Sequence, residues 1–384
     1  MKTMRPLEGI KVIDMSRILA GPWAGQVLAD LGATVIKIER PIVGDDTRHW
    51  GPPYLKDTDG NDTGDAAYFF SANRGKKSVC IDITQKQGQR QIKELVSSAD
   101  VLIENYKVGG LAKYDLDYES LKIINPALVY CSVTGFGQTG PYAHRAGYDF
   151  MIQAMGGLMS ITGEPDSNDG MPTKVGVAVT DIFTGLYSVI GIQAALHERQ
   201  QTGLGKHIDM ALFDCTAAIL ANQASNYLIG DVIPERLGNT HPNIVPYQVF
   251  ASTNGHLIIA VGNDSQFVKL CNVLELDELA NVEEYQTNAG RVTNREVLCD
   301  QLQTVLLNRT TAEWLEALEA ENIPCGPINT IDQVFSDPQI LARDMLQSVE
   351  HPVAGEIPLV ATPIQFVGET KPITDAPPVL DKSK

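Results

Sequence analysis

Basic residues are scarce in this 384-residue chain: 30 Lys and Arg stand against 47 Asp and Glu, a formal net charge of −17. A broad cationic face for nucleic-acid phosphates is thereby excluded, and any anionic ligand has to be met by a local basic pocket. Cysteine is sparse and scattered. The six cysteines, at 80, 131, 215, 271, 299 and 325, form no C-x-x-C and do not cluster with the seven histidines, so zinc framework and disulfide scaffold both fail. No run approaches ~18 uninterrupted apolar residues, and the opening MKTMRPLEGIKVIDMS has no apolar h-region. The expectation is a soluble, cytoplasmic protein of a reducing compartment, with no membrane and no nucleic-acid partner. No serine sits in G-x-S-x-G and the histidines show no ligand-like pair, so hydrolase triads and metal hydrolysis lack an anchor and no metal site is expected.

What is present is an alternation of strand-like and helix-like segments. Ile10 to Met15 reads as a short buried strand, Gly21-Pro22 opens a helix through Leu31, and Thr34 to Ile38 follows as a second strand. Strands at Ser78 to Ile83, Val101 to Glu104 and Leu128 to Thr134 alternate with helices at Lys86 to Ser98 and Tyr118 to Asn125. This pattern predicts a mostly parallel sheet with covering helices. A long apolar helix starts after Asp181 and runs to about Arg199, and strand-like His207 to Met210 leads to a helix over Cys215 to Leu228. The texture then changes. A hairpin at 247–261 turns on Asn254-Gly255, and helices follow to Glu321, which marks a small α+β domain. The predicted boundaries are 1–215 for the large α/β domain, 216–245 for a linker helix and loop, 246–328 for the small domain, and 329–384 for a return to the large one. Strands are expected at Glu356 to Val360 and Pro363 to Val367, and a poorly ordered tail from about Ile373.

Several residues are placed for chemistry. The first strand-to-helix junction, Ser16 to Gly25, offers the unpaired N–H groups and positive dipole end of a helix N-terminus, which suits a phosphate or a thiolate. Its glycines do not form G-x-G-x-x-G, yet Glu39 at the end of the second strand sits where a ribose-binding acid would, so a nicotinamide enzyme stays as a rival. Two basic islands, Lys37 with Arg40 and Arg74 with Lys76 and Lys77, interrupt the acidic background. Asp181 reads as the N-cap of the apolar helix, and equally as a carboxylate nucleophile held ionised at a helix start.

Taken together the motifs resemble the class III CoA-transferase family, also called the CaiB/BaiF or formyl-CoA transferase family. The resemblance rests on Pro6 to Asp14, Leu19 to Pro22, Leu31 to Arg40, Gly44 to Arg48, Asn73 to Ser78, Glu104 to Tyr106, Ser132 to Gly137, Arg145 to Asp149, the Asp181 segment, and Gly326 to Asn329. The blocks at 44–48, 145–149, 226–230 and 244–248 look most like the succinate and hydroxymethylglutarate branch, which acts on dicarboxylates such as glutarate.

The resemblance implies a Rossmann-like large domain with a smaller α+β domain in an interlocked, ring-like homodimer. It implies that Asp181 attacks a donor acyl-CoA thioester, passing through a mixed anhydride and an aspartyl-CoA thioester, with no permanently bound cofactor and with CoA esters and small carboxylic acids as substrates. By the same resemblance Arg17, Ile18 and Ala20 line the CoA site, with Arg40, Lys76, Asn105, Tyr106 and Lys113 near its nucleotide and pantetheine parts, and Tyr148 is an active-site tyrosine. Arg48 and Arg145 are candidates for the distal carboxylate of a dicarboxylate. Leu19 replaces a glutamine of the formyl-CoA enzyme, which argues against oxalate and formyl-CoA. The related 2-methylacyl-CoA racemases carry a histidine where Tyr148 stands, and a tyrosine is a poor base near neutral pH. A non-catalytic CoA-binding protein is a further alternative.

Overall fold

The computed structural model describes residues 5–381. Six strands form one parallel sheet: β1 (Lys11–Asp14), β2 (Thr34–Glu39), β3 (Lys76–Cys80), β4 (Val101–Glu104), β5 (Val129–Thr134) and β6 (His207–Ala211). Their spatial order is β3-β2-β1-β4-β5-β6. The order reverses between β1 and β4, as in doubly wound dinucleotide-binding sheets. Central strands are buried on both faces: Val12, Val101 and Ile103 are fully enclosed, which is why they read as continuous apolar runs.

The helices that position the site are α1 (Ala20–Asp30), α2 (Lys86–Val96), α3 (Tyr118–Ile124), α4 (Asp149–Met155) and α5 (Val179–Thr202). Helix α5 ends on Gly203, whose φ of 72° supplies the left-handed C-terminal residue. It is long and apolar enough to cross a membrane, but half of its apolar window is buried inside the protein. The buried face, including Val189, Ile192 and Leu196, shares a core with Leu28 and Val27 of α1. The close approach of the two helices depends on Gly185. A Cβ there would sit 2.7 Å from the Ala20 carbonyl oxygen and 3.1 Å from Trp23 Cβ. Past β6, the expected single helix is two, α6 (Leu212–Ile219) and α7 (Ala221–Gly230), broken at Ala221 where φ is 46°.

The described residues divide into two compact units, one of 5–158, 174–232 and 337–381, the other of 159–173 and 233–336. The second unit starts earlier and ends later than the sequence pattern suggests, and it recruits a distant segment. Arg236 holds that segment by donating to the Glu164 carbonyl at 3.1 Å and pairing with Asp166. Within this unit β7 (Tyr247–Ala251), β8 (His256–Ala260) and β9 (Cys325–Pro327) form an antiparallel sheet. Its core gathers Phe250, Phe267, Leu298, Leu302 and Trp314.

Two expectations for the C-terminal part are corrected. Residues 363–367 form no strand; Gly355–Val360 pairs instead with Leu346–His351. The tail described to residue 381 is tied down, because buried charges of the large unit need it. The Thr374 hydroxyl donates to Asp30 at 3.2 Å and the Pro378 carbonyl accepts from Arg48 at 3.0 Å.

Candidate active site

The C-terminal ends of β1 to β5 open on a cavity of about 830 Å³. It lies where the strand order reverses, so the chains leaving β1 and β4 separate and leave a crevice. Its wall is built from Arg17 to Ala20 after β1, Arg40 to Asp45 after β2, Asn105 to Lys113 after β4, His144 to Tyr148, and Asp181.

The loop after β1 is strained and held. Ile18 has φ of 74°, a left-handed conformation that a β-branched residue adopts only when its surroundings over-determine it. The Asn105 side chain supplies that restraint by accepting from the Arg17 N–H at 2.9 Å and donating to the Arg17 carbonyl at 2.6 Å. The Ile18 N–H donates to Asp45 at 3.2 Å. Leu19 then caps α1 without any side-chain acceptor, so the first-turn N–H groups and the positive dipole end face an anion-compatible space.

Positive charge is local, as the acidic chain requires. Arg17 and Arg40 both pair with Asp46, at 2.6 and 2.8 Å, so the trio keeps a net positive charge. Lys113 is exposed on the cavity wall with its ammonium 4.7 Å from the Tyr114 ring centroid. Tyr106 is half-buried, 5.9 Å from the Arg17 guanidinium. Arg145 stacks on Tyr142 at 4.6 Å and Phe136 at 5.1 Å. No carboxylate pairs with Arg145 among the described residues, which leaves its charge available to a ligand.

Asp181 is the third residue of α5 and does not cap it. The capping task falls to Asp149, the first residue of α4. Its Oδ1 accepts from the Thr180 N–H at 2.9 Å and from the Thr180 hydroxyl at 2.6 Å. The Asp181 carboxylate is therefore half-buried at the cavity wall without a capping bond. Burial, followed by the neighbouring Asp149 charge, pushes its pKa up to about 7. Tyr148, the residue before α4, is exposed on the same wall.

Arg17, Ile18, Ala20, Arg40, Asn105, Tyr106, Lys113, Arg145, Tyr148 and Asp181 thus share one cavity. Arg48 and Lys76 do not. Arg48 is buried and grips Glu39 through two bonds of 2.8 Å while reaching Asp65 at 3.0 Å, with Phe69 3.7 Å from its guanidinium carbon. Its hydrogen-bonding capacity is spent inside the fold, so it cannot hold a substrate carboxylate. Lys76 is equally enclosed, donating to Asp14, the Pro22 carbonyl and Asn73 at 2.8, 2.7 and 2.9 Å. The same geometry answers the nicotinamide rival: Glu39 is occupied by Arg48 and cannot serve a ribose.

The packing roles of three glycines escaped the sequence reading. Gly185 follows Asp181 by about one helical turn, so the glycine that admits α1 also brings the Arg17 to Ala20 loop beside the carboxylate. Gly135 and Gly147 pack back to back, a Cβ on either meeting the other's Cα at 2.5 Å, and so hold the 143–148 segment against the end of β5. Glycine spacing gives no hint of such a partner.

A family model described as CoA-transferase family III matches residues 7–384. A succinate–glutarate CoA-transferase of Agrobacterium fabrum is 54% identical over 359 residues, covering 94% of this chain and 89% of that protein. The human succinyl-CoA:glutarate CoA-transferase is 42% identical over 384 residues, covering 99% and 84%. The crystal structure of a CAIB/BAIF family protein from Brucella suis superimposes with a TM-score of 0.86 at 52% identity, covering 99% of this chain and 97% of that one. On this similarity, and with a parallel sheet whose crevice suits a polyanionic ligand, the chain belongs to CoA-transferase family III.

Proposed function

We propose that the protein moves CoA from succinyl-CoA to glutarate or a related dicarboxylate, with Asp181 as the nucleophile. The observation that carries the reading is a carboxylate at a helix start, relieved of capping and open to a cavity with local positive charge. The names of the Agrobacterium and human relatives supply the substrate pair. An Asp181 oxygen attacks the thioester carbonyl, the C–S bond breaks, and CoA thiolate leaves a mixed anhydride. The thiolate attacks the aspartyl carbonyl and releases succinate. The acceptor carboxylate attacks the resulting aspartyl thioester, and the C–S bond breaks to give a second mixed anhydride and free thiolate. The thiolate attacks the acceptor acyl carbon of that anhydride, which releases the new CoA ester and regenerates the Asp181 carboxylate. The thioester is conserved and no net proton is taken up.

In this reading Arg17, Arg40 and Lys113 meet the phosphates, Ile18, Ala20, Asn105 and Tyr106 line the CoA site, and Tyr148 and Arg145 face the acid, with Arg145 receiving the distal carboxylate. The test is a panel of acceptor acids incubated with succinyl-CoA, with product CoA esters read by mass. Glutarate is expected to react and monocarboxylates to react poorly; equal rates for both would overturn the dicarboxylate assignment. Arg145→Ala is expected to raise the KM for glutarate by about tenfold or more while moving the KM for succinyl-CoA far less. Equal changes in both would place Arg145 outside the acid site.

The attacking carboxylate must be ionised. With its pKa pushed up to about 7, kcat/KM for succinyl-CoA is expected to hold level above pH 7 and to fall as pH drops below it. A profile level from pH 5 to 8 would contradict this. We also propose a cytoplasmic homodimer of the interlocked, ring-like kind. All six cysteines are unpaired, in keeping with a reducing compartment. The outward side of α5 exposes Phe183, Tyr187 and Ile190, and α7 exposes Tyr227, Leu228 and Ile229, apolar surface that a second copy would cover. Light scattering after size exclusion checks it, a monomeric mass at micromolar protein being the contrary result.

A further inference from the structure

The mechanism above uses Asp181 but leaves unexplained why a second carboxylate is held so near it. Two aspartates whose charges repel each other are unfavourable neighbours. Asp149 has bonds on both oxygens: Oδ1 takes the Thr180 N–H and hydroxyl, and Oδ2 takes the Gln153 side-chain amide at 2.7 Å. Gln153 is buried and its own carbonyl accepts from the Val175 N–H at 2.9 Å. Asp149 and Gln153 on α4 thus tie down both the chain entering α5 and the first turn of α5. Thr180, the immediate neighbour of Asp181, is fully buried at the centre of this clamp.

The consequence for Asp181 follows from helix-capping physics. The first-turn N–H groups of a helix need acceptors, and an aspartate in that turn readily folds back to supply one. Ala178, the residue at the cap position, has no side-chain acceptor to offer. With the Thr180 N–H taken by a carboxylate from another helix, Asp181 is released from that duty and its oxygens remain free for attack. We propose that Asp149 is a positioning residue of the transfer reaction: as the cap of α5 supplied from α4, it keeps the Asp181 carboxylate uncapped and directed to the cavity.

The proposal rests on the reading of Asp181 as the nucleophile. Asp149 also acts through its charge. The groups whose charges interact with Asp181 are Asp149 at the start of α4 and Tyr68 on the short helix Ala67–Phe70. The cavity wall it shares also carries Arg17, Lys37, Glu39, Arg40, Asp45, Asp82, Tyr106, Lys107, Lys113, Tyr114, His144, Arg145 and Tyr148. Of these, Asp149 is the one whose charge raises the Asp181 pKa, alongside burial.

The experiment compares Asp149→Asn, Asp149→Ala and Asp181→Asn in the full chain, with folding verified by circular dichroism and thermal melting. Asparagine keeps an oxygen for Thr180 but removes the charge and the acceptor for the Gln153 amide. Asp149→Asn is therefore expected to keep kcat at pH 8.5 within about threefold and to move the acid limb of kcat/KM to lower pH, so that at pH 6 it retains about twice the wild-type fraction of its own plateau or more. Asp149→Ala removes the cap and is expected to lower kcat about tenfold or more at every pH, with the KM for succinyl-CoA little changed. An Asp149→Ala enzyme with wild-type kcat, or an Asp149→Asn enzyme with an unmoved acid limb, overturns the proposal. Should the alanine variant fail to fold, the asparagine pH profile decides alone. Asp181→Asn separates the two levels of inference: if it is inactive while the Asp149 variants behave as wild type, the nucleophile stands and the positioning role falls. If Asp181→Asn is active, the nucleophile itself is wrong.

Discussion

Asp181→Asn is expected to lower CoA transfer by at least ~10⁴-fold and at the same time to make the protein harder to unfold. An amide has no carboxylate lone pair to form the anhydride, and the remaining cavity groups only bind. The stability gain follows from the pKa displacement. In the unfolded chain this carboxyl titrates near its ordinary value of 3.8, in the folded protein near 7, so the folded state holds an additional proton between the two. At pH below the unfolded value the group is neutral in both states and costs nothing. As pH rises through the window a buried charge must form beside Asp149, and folding stability declines until about pH 7, where the penalty levels off. Asparagine removes that penalty. The melting temperature of Asp181→Asn is thus expected to exceed wild type at pH 8, with the gap closing toward pH 4. Mass spectrometry of wild type after succinyl-CoA should detect an adduct on the peptide containing Asp181, and the variant should show none. Substantial residual transfer would remove the nucleophile assignment, and a melting difference independent of pH would remove the raised pKa.

The sheet was legible because its strands are enclosed on both faces. Val12 and Ile13, or Val101 to Ile103, announce themselves as unbroken apolar runs, and the chain between them is helical in period. The cavity residues were legible through the resemblance, since Ala20, Asn105 and Tyr106 lie in its blocks at strand ends and Arg17 and Ile18 directly precede one. Partnership was what the local pattern hid. Arg48 and Lys76 look like binding cations in a one-dimensional string, yet their acceptors come from β1, α1, Asp65 and the residues near 378. Helix capping was misassigned for the same reason: Asp181 looks like a cap, whereas the capping oxygen comes from Asp149, 31 positions away from Thr180 in sequence. Residues 373–381 were read as loose because they are rich in proline, and no short window reveals that Asp30 and Arg48 require them.

The buried charges make the second large prediction, one of stability without a kinetic counterpart. Lys76 and Asp14 have side chains with 0% exposure and lie 2.8 Å apart. The ammonium makes three hydrogen bonds, to Asp14, Pro22 and Asn73, which matches its three protons. Gly25 provides the room, because a Cβ there would sit 2.8 Å from Asp14 Oδ2 and 3.2 Å from Lys76 Nζ. Replacing Lys76 by Met leaves a desolvated carboxylate at the end of β1, one turn of chain before the strained Ile18 loop. The expected cost is about 3–5 kcal/mol of folding free energy, measured by urea unfolding. Converting the partner as well, in Asp14→Asn/Lys76→Met, should recover much of that loss, because the penalty belongs to the unpaired charge more than to the missing bond. At temperatures where Lys76→Met stays folded, its KM for succinyl-CoA should remain within about twofold of wild type, since the ammonium never reaches the cavity wall. The opposite pattern, a stability loss under about 1 kcal/mol with a KM raised tenfold or more, would return Lys76 to the CoA site. It would then be the fold, and not the ligand, that has to find another partner for Asp14.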